Sequence, residues 1–195
     1  MSSLARERKF SIDELFRTTK ELLLLHGYEG FTFSLLADRL EISRGTLYKY
    51  YDNKEELITD YMLDEMEKFL LKLQKITEFD GFEAQFNELL ALIFEHSEIH
   101  QIIIIALQIP ANISKKVTLN KAKLDVQHLD MYKHLQNFID LGRAEKILKP
   151  QIPDGLILGF IFQTIAIPNH TRVPAEEWVS SIKEIICHGM FTKNN

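Results

Sequence analysis

The chain has one cysteine in 195 residues. Cys187 therefore has no partner within the chain, which excludes an internal disulfide and fits a reducing compartment. Its role as a small buried apolar residue is weighed ahead of a reactive thiol. Glycine (8) and proline (5) are scarce too, which disfavours a turn-rich β fold and favours helices. No apolar run approaches the roughly 20 residues of a membrane span. Leu156 to Ile167 is short and is broken by Gln163-Thr164. The opening MSSLARERKF lacks the apolar core of a signal peptide. A cytoplasmic protein without membrane contact is expected. Catalytic signatures are missing as well: there is no G-x-S-x-G, no glycine-rich phosphate loop and no H-E-x-x-H. No enzyme, cofactor or metal site is expected. His96 and His100 stand four apart, a metal-ligand spacing, but no Cys cluster or further His joins them. Surface histidines at a helix junction are the preferred reading of that pair.

Hydrophobic residues make up 46% of the chain, ample for a core. The most informative stretch is Thr32 to Leu57, TFSLLADRLEISRGTLYKYYDNKEEL. Thr32 suits the N-cap of a first helix with Leu35, Leu36, Ala37 and Leu40 on one face. Glu41-Ile42-Ser43 makes a turn, and Ser43 is placed to cap a second helix of about two turns. Leu47 and Tyr51 point inward from that helix, leaving Arg44, Thr46, Tyr48, Lys49 and Tyr50 outward. Asn53 and Glu56 form a capping box that opens a third helix. This is a helix-turn-helix whose second helix is the recognition candidate. Arg44 and Lys49 suit base-edge or phosphate contacts, and the Tyr48 and Tyr50 hydroxyls suit phosphates. Core burial of the two tyrosine rings is the competing reading. Lys54, at a helix N-terminus, is set for a phosphate.

The order Thr32, Leu36-Ala37, Ile42-Ser43, Gly45-Thr46-Leu47-Tyr48, Tyr51, Lys54-Glu55 and Leu57 resembles the DNA-binding domain of TetR-type transcriptional regulators. Gly27-Tyr28 upstream matches as well. The resemblance implies that Gly45 and Thr46 approach DNA closely. One position departs: the family usually has Gly in the turn where this chain has Glu41. A Glu there is either right-handed or bears a modest left-handed penalty.

Positive charge is not in excess. The net charge is −5, and residues 1–60 hold nine Lys/Arg against eleven Asp/Glu, hence −2. Phosphates respond to local potential rather than to totals. Arg6, Arg8 and Lys9 form a basic arm, and Arg44, Lys49 and Lys54 surround the recognition helix. Few cations imply few phosphate contacts and a shallow salt dependence.

The expected fold is all-α. Residues 1–10 read as a flexible arm, with a solvated tail as the bland alternative to DNA contact. Residues 11–57 form the three-helix helix-turn-helix domain, its first helix opened by Ser11 and closed at His26-Gly27. A connecting helix runs from about 54 to 77, and 58–195 form a bundle of about five to six helices. Within it the helix Glu98 to Ile109, with the run Ile102 to Leu107, is apolar all round and should be central to the core, a buried strand being the alternative for the isoleucines. A long helix is expected from Ser114 to Leu141, ended by Gly142. Gly142, Leu148, Pro150 and Pro153 also resemble the family's connection into its last two helices.

Those last two helices, about 154–167 and 174–190, are too apolar for one chain to cover, which points to a two-fold dimer. Leu156, Phe160, Trp178, Ile182, Ile185 and Ile186 are its expected interface. In the resembling family these helices form the dimer contact, and a small-molecule effector binds the C-terminal domain. Phe69, Phe86, Gln101, Gln108, His128, Tyr132 and Gln163 are the residues proposed to line that site, plain core being the default for the aromatics. The resulting expectation is a homodimer on a palindromic duplex operator, released by a small apolar or amphipathic effector, with the helix from Lys54 as lever. The competing readings are a helix-turn-helix scaffold that works through protein partners and, behind it, a helical metal protein or enzyme.

Overall fold

The computed structural model of the chain describes residues 10–98, 102, 105 and 107–190, and every regular element among them is helical. The all-α expectation holds. We number the helices α1 (Ile12–Gly30), α2 (Phe33–Arg39), α3 (Arg44–Leu47), α4 (Lys54–Ile76), α5 (Phe82–Glu95), α6 (Lys115–Ala144), α7 (Asp154–Gln163) and α8 (Ala175–Met190), with a 3-10 turn at Thr164–Ala166. Within the isoleucine run, the described residues Ile102 and Ile105 are helical, not strand, and buried, whereas Leu107, expected in the core with them, is 79% exposed. Among the described residues no helix is long and apolar enough to cross a membrane.

The chain divides into two compact units, residues 1–65 with 101–124, and residues 66–100 with 125–195. Both α4 and α6 begin in the first and end in the second.

In the first unit, Ser11 Oγ accepts from the Glu14 N–H at 3.0 Å and starts α1. Leu15, Phe16, Thr19, Leu22 and Leu23 are the buried stripe, as their spacing predicts. The helix breaks at Gly27, whose φ of 67° and ψ of −176° are open to glycine and costly to any other residue. Leu47, Leu57 and Ile58 close the core from the far side of the helix-turn-helix, and Phe31 and Tyr61 fill it. Ile102, Ile105, Ile109 and Val117 join the same core. Each fully buried Leu or Ile of this kind contributes about 1.5–3 kcal/mol. Leu35, expected inward with Leu36, is instead at the surface, and Phe33 takes the buried position.

The second unit is built around phenylalanine. Phe82 stacks on Phe138 with ring centroids 4.6 Å apart, and on Phe86 at 6.1 Å. Leu89, Leu90, Ile93, Leu135, Ile139, Ile157, Ile161, Ile182 and Ile186 complete the core. Gly81 offers no side chain to cap α5, and Glu145 does it from across the unit, accepting from the Phe82 N–H at 3.1 and 3.2 Å.

Gly142 does not end its helix. α6 continues to Ala144, and the left-handed residue that stops it is Lys146, with φ of 58°. The Lys146 N–H bonds Arg143 O and the Ile147 N–H bonds Gly142 O, both at 3.0 Å, a Schellman arrangement. Glycine is needed at 142 for packing: a Cβ there would lie 2.6 Å from the Phe82 ring. Arg143 donates to Lys149 O, Ile152 O and, at 2.7 Å, to Asp154 Oδ1, fixing the entry to α7. The helix expected to reach residue 167 loses its α geometry after Gln163 and finishes as the 3-10 turn. Cys187 is half-buried, and burial pushes its thiol up, away from reactive thiolate.

Candidate nucleic-acid interface

The recognition element begins with the end of α2. Thr32 Oγ1 caps that helix by accepting from the Leu35 N–H at 3.3 Å. At its other end the Ile42 N–H reaches Ala37 O at 2.9 Å and the Glu41 N–H reaches Asp38 O at 3.2 Å. That pair of bonds is again a Schellman motif, with Glu41 at the left-handed position and φ of 53°. The alternative left open by the sequence resolves to the left-handed one.

α3 is shorter than its expected two turns. It holds four residues, and the chain continues through N–H bonds from Tyr50 and Tyr51 to Leu47 O, at 2.9 and 3.1 Å. Ser43 sits at the N-cap position, where its carbonyl accepts from the Thr46 N–H at 2.9 Å, but its side chain caps no backbone N–H. Its Oγ pairs with Thr46 Oγ1 at 2.9 Å instead. Leu47 and Tyr51 are buried and Tyr48, Lys49 and Tyr50 are exposed, as the pattern requires, while Thr46, expected outward with them, is half-buried. Arg44 is exposed and donates to Ser34 Oγ at 3.3 Å. Tyr48 stands edge-on to Phe33 at 5.1 Å, and Tyr50 edge-on to Phe10 at 5.7 Å. These contacts hold each ring by its apolar body and leave the side chains substantially exposed. An added Cβ on Gly45 would meet only Ser43 Oγ at 3.8 Å, so nothing in the described protein demands glycine there.

Lys54 departs from its expected setting. Its ammonium donates to Tyr28 O at 2.7 Å and Phe31 O at 3.3 Å, and lies 4.2 Å from the centroid of the Tyr28 ring. Two of its three N–H groups are thus engaged by its own chain. The Tyr28 hydroxyl donates to Glu55 Oε1 at 2.7 Å. Burial first, then that bond and the carboxylate's charge, raise the Tyr28 pKa above its ordinary value, so the ring stays neutral. Asn53 caps α4 as expected, accepting from the Glu56 N–H at 2.9 Å, while Glu56 Oε2 accepts from the Asp52 N–H at 3.2 Å. Arg6, Arg8 and Lys9 lie outside the described residues.

Residues 15–61 match the family of bacterial regulatory proteins described as the tetR family. The chain carries a TetR-family DNA-binding domain. The fold similarity extends over nearly its full length. The ketosteroid transcriptional regulator KstR2 of Mycobacterium tuberculosis is 16% identical, with 98% of this chain and 99% of that one covered, at a TM-score of 0.71. The TetR family transcriptional regulator PfmR from Thermus thermophilus is 18% identical over 90% and 98%, also at 0.71. FadR from Bacillus subtilis, a transcriptional regulator solved with stearoyl-CoA, is 17% identical over 92% and 99%, at 0.64. No curated protein matches the sequence.

The other residues singled out in the sequence are scattered. Phe69 and Phe86 belong to the second unit's core, where His128 is half-buried and Tyr132 and Gln163 are exposed. Gln108 is exposed in the first unit, and Gln101 falls outside the described residues. On the last two helices Leu156, Phe160 and Ile185 are exposed and Trp178 is half-buried. Ile182 and Ile186 are 5% and 1% exposed, and so fill the core of their own unit. The Lys72 ammonium donates to His96 Nε2 at 3.0 Å and to Glu95 Oε1 at 2.7 Å, and holds the Glu95 carboxyl below its usual range. His100 is outside the described residues. Ser34, Phe33 and Phe10 went unremarked in the sequence because their roles are contacts, not patterns.

Proposed function

We propose that this TetR-type regulator is a repressor that binds a palindromic operator as a homodimer and is released by a small molecule. The carrying observation is the surface of α3 and the turn after it. Arg44, Tyr48, Lys49 and Tyr50 are exposed together beside a glycine that the described fold does not require. A helical glycine costs about 1 kcal/mol relative to alanine, and close approach of a duplex at Gly45 is a reason to keep it. Leu156 and Phe160, exposed and next in sequence to Gly155 and Gly159, where an added Cβ would meet nothing, and Ile185, exposed on α8, supply apolar area and close-approach positions for a second protomer. Dimeric pairing sets two recognition elements about one DNA turn or a multiple of it apart. The FadR neighbour carries stearoyl-CoA. An amphipathic effector in the second unit fits that unit's phenylalanine-rich core.

Selection of bound sequences from random duplex DNA tests this reading, with Tyr48→Phe and Lys49→Ala as controls. One inverted repeat should emerge, with weaker recovery by both variants. Absence of enrichment at low salt would exclude DNA binding and leave the partner-binding scaffold. The salt dependence carries further information. Arg44 and Lys49 from two protomers give a slope of about −4, and full participation of Arg6, Arg8 and Lys9 would bring it to about −9.

A further inference from the structure

The unit that carries the recognition turn is completed by residues from far along the chain. Ser114 Oγ donates to Glu56 Oε1 at 2.7 Å and accepts from the Val117 N–H at 3.2 Å. Asn120, 4% exposed, donates to Thr59 Oγ1 at 3.1 Å and Asp60 Oδ1 at 2.6 Å. Between them, Lys116 Nζ lies 2.7 Å from Asp60 Oδ2 and 4.3 Å from the centroid of the Tyr51 ring. Tyr51 ends the recognition turn, its N–H bonded to Leu47 O and its ring buried. One ammonium thus holds both the exit of the recognition segment and the helix that follows it.

The Lys116 and Asp60 side chains are 37% and 25% exposed, and a partly exposed pair adds little to global stability. Its effect is local. We propose that Lys116 is a positioning residue for DNA recognition, setting through Asp60 and Tyr51 the angle at which the α3 turn is presented, without touching DNA itself. This rests on the DNA-binding reading above. The competing role, a phosphate contact by Lys116, makes the opposite prediction for its partner. Removing Asp60's charge would then free the ammonium, lower the negative potential and tighten binding. For a positioning role, losing Asp60 weakens binding although an acid has been removed from a DNA-binding protein.

The test uses the full chain with Lys116→Met, Lys116→Arg and Asp60→Asn. Operator affinity is measured across salt on the selected duplex, and amide hydrogen exchange of residues 46–51 is measured in the free protein. Lys116→Met and Asp60→Asn should each weaken binding about tenfold at an unchanged salt slope. Both should speed exchange at Tyr50 and Tyr51 several-fold while leaving the thermal midpoint in place. Lys116→Arg, which can pair and stack, should restore most of both. Tighter binding by Asp60→Asn, a slope reduced by about two in Lys116→Met, one contact for each protomer, or exchange at wild-type rates would overturn the assignment. If the wild type binds no duplex, the DNA reading fails, while the exchange rates still decide whether Lys116 holds the turn.

Discussion

Glu41 offers a direct measure of what the left-handed turn costs. Its φ of 53° places a side chain with a Cβ where the family usually has glycine. For an L-residue that conformation costs about 1–2 kcal/mol. Glycine would relieve the strain but give back about 0.5–1 kcal/mol through its larger unfolded-state entropy. The net gain for Glu41→Gly is therefore about 0.5–1 kcal/mol, or about 1–4 °C in the midpoint of a chain this long. Glu41→Ala keeps the Cβ and should gain nothing. Glu41→Gln should match the wild type in stability. It should also bind the operator roughly twofold tighter, the value for one exposed charge about 8 Å from a phosphate in water. Thermal unfolding of the three variants with a binding titration on each separates strain from charge. Lys146, with φ of 58°, is an internal repeat of the same motif in the second unit, so Lys146→Gly should gain a similar amount. If glycine and alanine prove equally stable at position 41, the turn is not strained and the reasoning fails.

Gly45→Ala should move stability and function in opposite directions, raising the former by up to about 1 kcal/mol and weakening operator binding. A parallel loss of both would mean that glycine serves the fold. Thr19 Oγ1 is buried with no hydrogen-bond partner among the described residues, and the residue is 0% exposed. Thr19→Val should stabilise by about 1 kcal/mol, whereas Thr18→Val, which loses a 2.8 Å bond to Glu14 O, should not; denaturant midpoints decide. Arg143→Met strips the partner from two carbonyls and a carboxylate, at a cost of about 1–3 kcal/mol near neutral pH. Arg143's bond, and secondarily Gln136's, holds the Asp154 carboxyl below its usual range. The stability from a depressed carboxyl is present above its unfolded pKa of about 3.9 and is lost as pH falls through the folded value. The gap between Arg143→Met and wild type should therefore narrow below about pH 4, and a gap independent of pH would show that Asp154 takes no part.

The helices were legible because their causes are local. Ser11, Thr32 and Asn53 act on N–H groups three residues ahead, so a cap is written in a short window. The stripes of α1 and the inward pair Leu47 and Tyr51 follow from the 3.6-residue period. The misreadings share a different cause. Gly142 looks like a helix end in sequence, yet it is a packing glycine against Phe82, 60 residues away. Lys54 reads as a free cation at a helix start, but the carbonyls of Tyr28 and Phe31 claim its ammonium. Ile182 and Ile186 are as apolar as Leu156 and Phe160, and periodicity alone does not say which apolar face a helix turns toward its own core.

By itself the sequence determined the all-helical class, the helix-turn-helix, and the exposure of Arg44, Tyr48, Lys49 and Tyr50 on its second helix and the turn after it. Each of these depends on spacing within a few turns, where the backbone hydrogen-bond period dictates which side chains share a face. Only the tertiary structure decided that Ile102, Ile105, Ile109 and Val117 complete the core behind the recognition turn, that Glu145 caps α5, and that Lys116 meets Asp60 and Tyr51. Those pairings join residues some 55 to 65 positions apart. A long side chain finds its partner there through the packing of whole helices, and no local period encodes that.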